Sequence, residues 1–243
     1  MIQTDTLTKE PAKVNNSNNG KTLIPPLENG DRLTRAEFER RYHAMPNVKA
    51  ELIEGVVYMS SPVRVKNHGE PHGRIMWFLG TYCVATDVVN FADNSTVRLD
   101  ADNEPQPDAV LYVREEFGGA SYISLDDYLE GSPELAVEIA ASTASYDTTE
   151  KKKVYRRNNV REYIVWRVQD EEIGWFALEN GEYLLLLPNS DGVIESRFFA
   201  GLTLNVAAML KDDLPQVLSD LQNGLQSNKH RAFVEKLRSQ EKK

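Results

Sequence analysis

Two acidic residues in the middle of the chain are placed to hold a metal ion against a phosphate group. Asp108 precedes the apolar run 109–113, and Glu138 lies near the end of a second apolar run, 134–140. Mg²⁺ prefers oxygen ligands and usually takes one or two carboxylates together with water and substrate phosphate. The main-chain carbonyl of Ile139, next along the chain, would be a natural third ligand. These residue types are typical of a site for divalent-cation chemistry.

A lysine, Lys151, follows the second apolar run and is predicted to lie in the first turns of a helix. Asp147, followed three residues later by Glu150, is typical of a capping box and predicts a helix over 148–157. Long helical side chains lean toward the start of their helix, so Lys151 could reach back to the ends of both runs. There it could hold the attacking water and offset the negative charge that grows on the phosphate. The alternative is that Lys151 is one of three solvated lysines.

The apolar surroundings of Glu138 favour a functional role for this acid. It lies among leucine, valine, isoleucine and alanine, where a carboxylate costs free energy unless it is paired, hydrogen-bonded or bound to metal. Because side chains alternate along a strand, Glu138 could instead lie on an exposed face. Asp108 has a simpler alternative, since Pro-Asp is also an ordinary start of a turn.

The surrounding elements predict a central mixed β-sheet flanked by helices. The two apolar runs are predicted to be neighbouring strands whose ends bring Asp108 and Glu138 together. Strands and helices do not alternate strictly, which indicates a mixed α/β (α+β) fold with helices at the C-terminus. Other predicted elements include helices from Thr34 and Pro71 and over 205–225 and 228–241, a strand or hairpin entry around Gly55, short strands near 88–91 and 95–99, and a hairpin that turns at Asn180-Gly181.

The composition indicates a soluble, cytoplasmic protein. Of the 243 residues, 41% are apolar, which is enough for a sizeable core. The net charge of −9 argues mildly against an extended nucleic-acid platform, although a local basic patch could still serve a small site. A single cysteine, Cys83, excludes an intrachain disulfide and fits a reducing compartment. No apolar run approaches the roughly 20 residues of a membrane span.

Three segments are predicted from the pattern of composition. Residues 1–30 contain an Asn-rich stretch and two adjacent prolines, which predict a flexible N-terminal arm. Residues 31–210 hold the predicted sheet and form one domain. Residues 211–243 form a helical extension.

A series of short motifs occurs in the order of a known family. The motifs are Glu51-Leu52-Ile53-x-Gly55, Ser61-Pro62, Pro107-Asp108, Glu134-Leu135-x-x-Glu138-Ile139, Asp147-x-x-x-Lys151-x-x-x-Tyr155 and Val160-Arg161-Glu162-Tyr163. Together they resemble the large bacterial family of putative restriction endonucleases, formerly a domain of unknown function, within the PD-(D/E)XK nuclease superfamily. The resemblance covers about residues 33–210.

The resemblance implies a restriction-endonuclease-like core and Mg²⁺-dependent cleavage of DNA, with Mn²⁺ as a substitute. Asp108 matches the first acid of the superfamily and Glu138 the second. The superfamily usually has a lysine two residues after the second acid, and this chain has Ala140 there. Members of the family supply the lysine from the following helix, and the matching residue here is Lys151. A further acid on an early element matches Glu51. A homodimer would provide the two sites that cutting both strands needs.

Several other interpretations remain open from the sequence. Glu54 is the alternative to Glu51, and in a regular strand only one of the two would face the site. His68 and His72 could share a zinc ion on a helix, but Gly69, Pro71 and Gly73 are predicted to interrupt it. The basic residues between 151 and 161 could contact phosphate or form a solvated face. The alternatives to a nuclease are a non-catalytic module that binds nucleic acid or protein and a hydrolase of smaller phosphate esters.

Overall fold

The structure is a computed structural model, which describes residues 23–59, 64–140 and 147–241, with the side chains of residues 147 and 148 left out. The Ser61-Pro62 motif, the chain between the second apolar run and Asp147, and most of the predicted N-terminal arm therefore lie outside the described residues. The predicted capping box cannot be judged either, because it needs the side chain of Asp147.

Thirteen strands occur in the described part of the chain. They are β1 (Ala50–Ile53), β2 (Val56–Met59), β3 (Val89–Asp93), β4 (Val97–Arg98), β5 (Ala109–Val113), β6 (Ser121–Ile123), β7 (Leu129–Gly131), β8 (Leu135–Ala140), β9 (Glu162–Arg167), β10 (Glu172–Glu179), β11 (Glu182–Leu185), β12 (Val193–Glu195) and β13 (Thr203–Asn205). The α-helices of the same part are α1 (Arg35–Tyr42), α2 (Glu70–Val84), α3 (Lys152–Arg157), α4 (Val206–Leu210), α5 (Leu214–Leu225) and α6 (Asn228–Arg238).

A six-stranded mixed sheet forms the centre of the fold. Its strand order is β11-β10-β9-β8-β5-β3, in which β8 and β9 are parallel and the other neighbours are antiparallel. The predicted pairing of the two apolar runs is confirmed, because β5 lies beside β8. The predicted mixed sheet with helices packed against it is confirmed as well.

The main hydrophobic core lies on one face of this sheet. Alternate side chains of β8, from Leu135 to Ile139, pack there with those of β5 and with α2. The C-terminal helices α5 and α6 contribute Val217, Leu221, Val234 and Leu237 to the same core. The helices that follow residue 210 therefore cover the sheet rather than extend away from it. None of the helices in the described part of the chain has the length and apolar character that crossing a membrane requires.

The opposite face of the sheet carries the other side chains of β8, including Glu138. Ala136 and Ala140 pack there with Tyr155 of α3 and Tyr163 of β9. The hairpin of β1 and β2 with α1 and a small three-stranded sheet, β4-β7-β6, form separate clusters. The sequence analysis did not predict the small sheet, whose strands are only two or three residues long.

The hairpin predicted at Asn180-Gly181 is confirmed between β10 and β11. Both turn residues have positive φ, 51° for Asn180 and 83° for Gly181. This is the backbone that a two-residue hairpin turn requires, and Asn-Gly adopts it at low cost. The turn fixes the register at the edge of the sheet, where Glu179 lies opposite Glu182.

A buried acidic cluster supports the segment that leads into Asp108. Arg98, which is 6% exposed, lies 3.0 Å from Glu39 and 3.1 Å from Glu130 through its guanidinium nitrogens. Glu104 is 1% exposed, and its carboxylate lies 3.9 Å from the Arg98 Nε atom. Main-chain hydrogen bonds in both directions join Glu104 to Leu52 of β1. Burial and then the neighbouring charge of Glu39 raise the pKa of Glu104 to about 8, against the opposing effect of Arg98.

Glu104 is expected to make the protein less stable as the pH rises. Its pKa in the folded state, about 8, exceeds the ordinary value of 4.5, so the folded protein holds this proton more tightly than the unfolded chain. The free energy of unfolding should therefore fall between pH 4.5 and 8, by at most about 1.4 kcal/mol per pH unit, and then level off. Urea unfolding at pH 5, 7 and 9 measures this slope, and Glu104→Gln should flatten it.

The matched control for this prediction is Glu130→Gln, which removes a second acid from the same arginine. We expect this variant to keep the pH slope of the parent protein. If the free energy of unfolding of Glu104→Gln has the same dependence on pH as that of the parent, Glu104 is not the group that binds the proton in the folded state.

Candidate active site

Asp108 and Glu138 lie side by side at one end of the paired strands β5 and β8. Ala109 lies opposite Val137 in this antiparallel pair, so the residues that precede and follow them are neighbours. The Oδ2 atom of Asp108 accepts a hydrogen bond of 2.6 Å from the main-chain N–H of Ile139. Both acids are buried, with 8% of Asp108 and 3% of Glu138 exposed. The sheet thus holds two carboxylates together where water has little access.

Glu138 faces α3 and not the solvent. Its Oε1 atom accepts a hydrogen bond of 2.8 Å from the hydroxyl of Tyr155 and another of 3.0 Å from the ammonium of Lys151. The alternative of an exposed face for Glu138 is therefore wrong. Tyr155, which is completely buried, also anchors the helix to the sheet.

Lys151 lies between two carboxylates. Its Nζ atom is 3.0 Å from Oε1 of Glu138 and 3.0 Å from Oε2 of Glu51, and only 4% of the residue is exposed. A π-helical turn, Asp147–Lys151, precedes α3 and brings the lysine to this position. The alternative of a solvated lysine is wrong, and the acids of two separate strands compensate for the burial of its charge.

The structure also separates Glu51 from Glu54. Glu51 lies on β1, contacts Lys151 and accepts a hydrogen bond of 3.1 Å from the main-chain N–H of Gln106. Glu54 lies in the turn after β1 with a φ of 52°, and it forms an ion pair of 2.8 Å with Arg157. Of the two acids, Glu51 is the one that joins Asp108 and Glu138 around the lysine.

Two histidines also contact Asp108. The Nε2 atom of His68 lies 2.9 Å from the Asp108 Oδ1 atom, and the Nε2 atom of His72 lies 2.9 Å from the Asp108 carbonyl oxygen. His72 Nε2 also lies 3.0 Å from Oδ1 of Asp93. Since every partner is an acceptor, both rings donate through Nε2. The sequence analysis did not predict these contacts, although the spacing of four residues was visible in the sequence.

The helix through both histidines is not interrupted, contrary to the sequence-based expectation. A π-helical turn, Val65–Gly69, runs directly into α2, and Pro71 lies in the first turn of α2, where its missing N–H is tolerated. The histidines do not form part of a zinc cluster, because no group of three or more His, Cys, Asp and Glu side chains within residues 23–59, 64–140 and 147–241 is arranged to hold a metal ion.

The electrostatics of the site keep Asp108 ionised. Burial raises the pKa of its carboxyl, but the hydrogen bond and charge of His68, the Ile139 amide and Lys151 lower it more, so the pKa lies below its ordinary value. Burial first, and then the charge of Glu138, raise the pKa of Tyr155 well above its usual range, so its hydroxyl remains a donor. Among the described residues, Asp108, Glu138 and Glu51 lie around Lys151, and their excess of negative charge favours a cation.

The basic residues that follow Lys151 are largely occupied by other groups. Lys153 pairs with Glu150, Arg156 with Glu182 and Arg157 with Glu54, while Lys152 and Arg161 lie over the rings of Phe176 and Phe198. This helix is therefore closer to a charge-balanced surface than to a free basic patch.

The residues present suit a magnesium ion, even though no ready-made cluster of three ligands exists among the described residues. Mg²⁺ commonly uses only one or two carboxylates and completes its shell with water and phosphate oxygens. Asp108 and Glu138 are such a pair, and Glu51 adds a third carboxylate beside Lys151.

Comparisons with known proteins identify the family and the fold of this chain. Residues 35–207 match the Uma2 family, described as putative restriction endonuclease, and the chain belongs to this family. Its fold resembles the crystal structure of a putative nuclease belonging to DUF820 from Anabaena variabilis ATCC 29413, with a TM-score of 0.52 and 9% sequence identity. The match covers 76% of this chain and 97% of that one. No curated protein matches this chain.

Proposed function

We propose that the protein is a Mg²⁺-dependent endonuclease that hydrolyses phosphodiester bonds of DNA. The observation that carries the proposal is the position of Lys151, 3.0 Å from both Glu138 and Glu51 beside the buried Asp108. A fixed positive charge beside carboxylates that could hold a metal ion suits phosphate hydrolysis, because both stabilise the charge that develops in the transition state. Lys151 also provides the cation that Ala140 does not, which argues against a non-catalytic module.

Asp108 and Glu138 would hold the metal ion, with the main-chain carbonyl of Ile139 as a third ligand. When bound, Mg²⁺ would polarise a phosphoryl oxygen and lower the pKa of a bound water. His68 and the Ile139 amide hold the two oxygens of Asp108, and Tyr155 holds one oxygen of Glu138. These donors fix the carboxylates before substrate arrives, so little free energy is spent on orienting them during the reaction.

Lys151 would position the attacking water and stabilise the transition state. Glu51 and Glu138 hold its ammonium group in place, and its positive charge offsets the charge that grows on the phosphate oxygens. The water oxygen forms the new bond to phosphorus while the bond to the 3′ oxygen breaks. The leaving oxygen takes up a proton, which gives a 3′-hydroxyl and a 5′-phosphate. Membership of the PD-(D/E)XK superfamily and a homodimer for cutting both strands are part of the same proposal.

A cleavage assay on supercoiled plasmid and on single-stranded DNA tests this function. We expect cutting with Mg²⁺ or Mn²⁺ and none with EDTA. A supercoiled plasmid reports a single endonucleolytic cut as conversion to the relaxed form. Failure of the protein to cut either DNA, together with absence of Mg²⁺ binding in calorimetry, would refute the proposal. Competition by excess mononucleotides distinguishes DNA from a smaller phosphate ester as the substrate.

A further inference from the structure

One face of the helix that starts before His68 lies over the candidate active site. The π-helical turn Val65–Gly69 and α2 form a continuous helix, and residues four apart share a face of such a helix. His68 and His72 are four apart, and both contact Asp108. Arg64 is the N-cap of this helix, with an extended backbone (φ −101°, ψ 139°), so it lies at the end of the helix from which His68 contacts Asp108.

The main chain of Arg64 is fixed, while its side chain is exposed. Its carbonyl oxygen accepts hydrogen bonds of 3.0 and 3.1 Å from the N–H groups of His68 and Gly69. The guanidinium has no acidic partner among the residues that the structure describes, although most basic residues of α3 have one. Arg64 therefore carries an uncompensated positive charge on an anchored segment beside a site rich in acids.

We propose that Arg64 binds a backbone phosphate of the nucleic-acid substrate, adjacent to the phosphate that lies at Asp108. A planar guanidinium can donate two parallel hydrogen bonds to a phosphate, which gives both affinity and orientation. Such a contact would also offset the repulsion between the acids of the site and the approaching polyanion. This inference rests on the proposed function, because it assumes that the substrate is a nucleic acid.

Lys66 provides a matched control within the same turn. It is exposed and, within residues 23–59, 64–140 and 147–241, has no acidic partner. It lies two positions before His68 in the π-helical turn, so it is on the other side of the helix from the face that contacts Asp108. The two cations thus share charge, exposure and segment, but Arg64 caps the helix while Lys66 lies within its first turn.

The experiment measures binding of a dye-labelled DNA duplex by fluorescence anisotropy over a series of KCl concentrations, with EDTA present to prevent cleavage. A protein that contacts a phosphate of duplex DNA through a cation releases about 0.9 counterion per contact. We expect Arg64→Ala to reduce the slope of log K against log [KCl] by about 0.9 and to weaken binding about tenfold, independently of sequence. Arg64→Lys should restore the slope, and Lys66→Ala should keep that of the parent.

Two results would overturn the inference, and only the second would also contradict the proposed function. If Arg64→Ala keeps the slope of the parent, or Lys66→Ala lowers the slope as much, Arg64 is not a phosphate ligand, while the proposed nuclease function stands. If the parent protein binds no duplex at any salt concentration, the inference fails together with DNA as the proposed substrate.

Discussion

Asp108→Ala is expected to lose Mg²⁺ binding and DNA cleavage together. The substitution removes one of the two buried carboxylates proposed as metal ligands and leaves Glu138 as the other. A metal ion contributes several kcal/mol of charge stabilisation in the transition state, so the cleavage rate should fall by about 1,000-fold or more. Isothermal calorimetry measures the binding of Mg²⁺, and conversion of supercoiled plasmid measures the cleavage.

The fold should survive the loss of Asp108. The variant leaves the Ile139 amide and the His68 ring without their acceptor, which costs about 1–3 kcal/mol, but it also relieves repulsion among three acids. Circular dichroism and thermal unfolding check this point. Asp87→Ala, which removes an exposed acid paired with Arg238 at the surface, is the control and should cut like the parent. An Asp108→Ala protein that still binds Mg²⁺ and cuts would remove Asp108 from the proposed site.

The sequence predicted the parts of this site that depend on local patterns. The apolar run around Glu138 indicated a buried strand, and burial made the acid costly enough to stand out. The order of short motifs then indicated that Lys151 provides the catalytic lysine, which the superfamily usually has at the position of Ala140. In the structure the Nζ atom of Lys151 lies 3.0 Å from Oε1 of Glu138. The strand that follows Asp108 and the strand that holds Glu138 are paired, as predicted.

The contacts of the histidines could not be predicted in this way. Glycine and proline near His68 indicated an interrupted helix, but a π-helical turn joins smoothly to α2 and Pro71 lies where a proline is tolerated. The pairing of His68 with Asp108 also spans 40 residues of chain, so no local pattern encodes it. The choice between Glu51 and Glu54 was left open for a similar reason, since it depends on a hairpin turn and on the approach of Lys151.

Lys151→Met is expected to slow cleavage strongly while Mg²⁺ binding remains. Methionine keeps the length of the side chain but removes the charge that would position water and stabilise the transition state, so the rate should fall by about 100- to 1,000-fold. The ammonium now shares Oε1 of Glu138 with Tyr155, and this contact competes with a metal ion for the carboxylate. Mg²⁺ should therefore bind at least as tightly to the variant in calorimetry as to the parent protein.

Lys152→Met is the matched control, because the neighbouring lysine lies over the ring of Phe176 and not among the acids. It should cut DNA and bind Mg²⁺ like the parent. Lys151→Met should also be less stable without metal, by about 3–5 kcal/mol, because Glu138 and Glu51 lose their buried partner. Added Mg²⁺ should recover part of this loss, as any ligand that binds only the folded state does. The substitutions Asp108→Ala and Lys151→Met thus have opposite expected effects on the affinity for Mg²⁺. If the Lys151→Met protein binds Mg²⁺ much more weakly than the parent, the lysine supports the metal ligands structurally and does not act on the water.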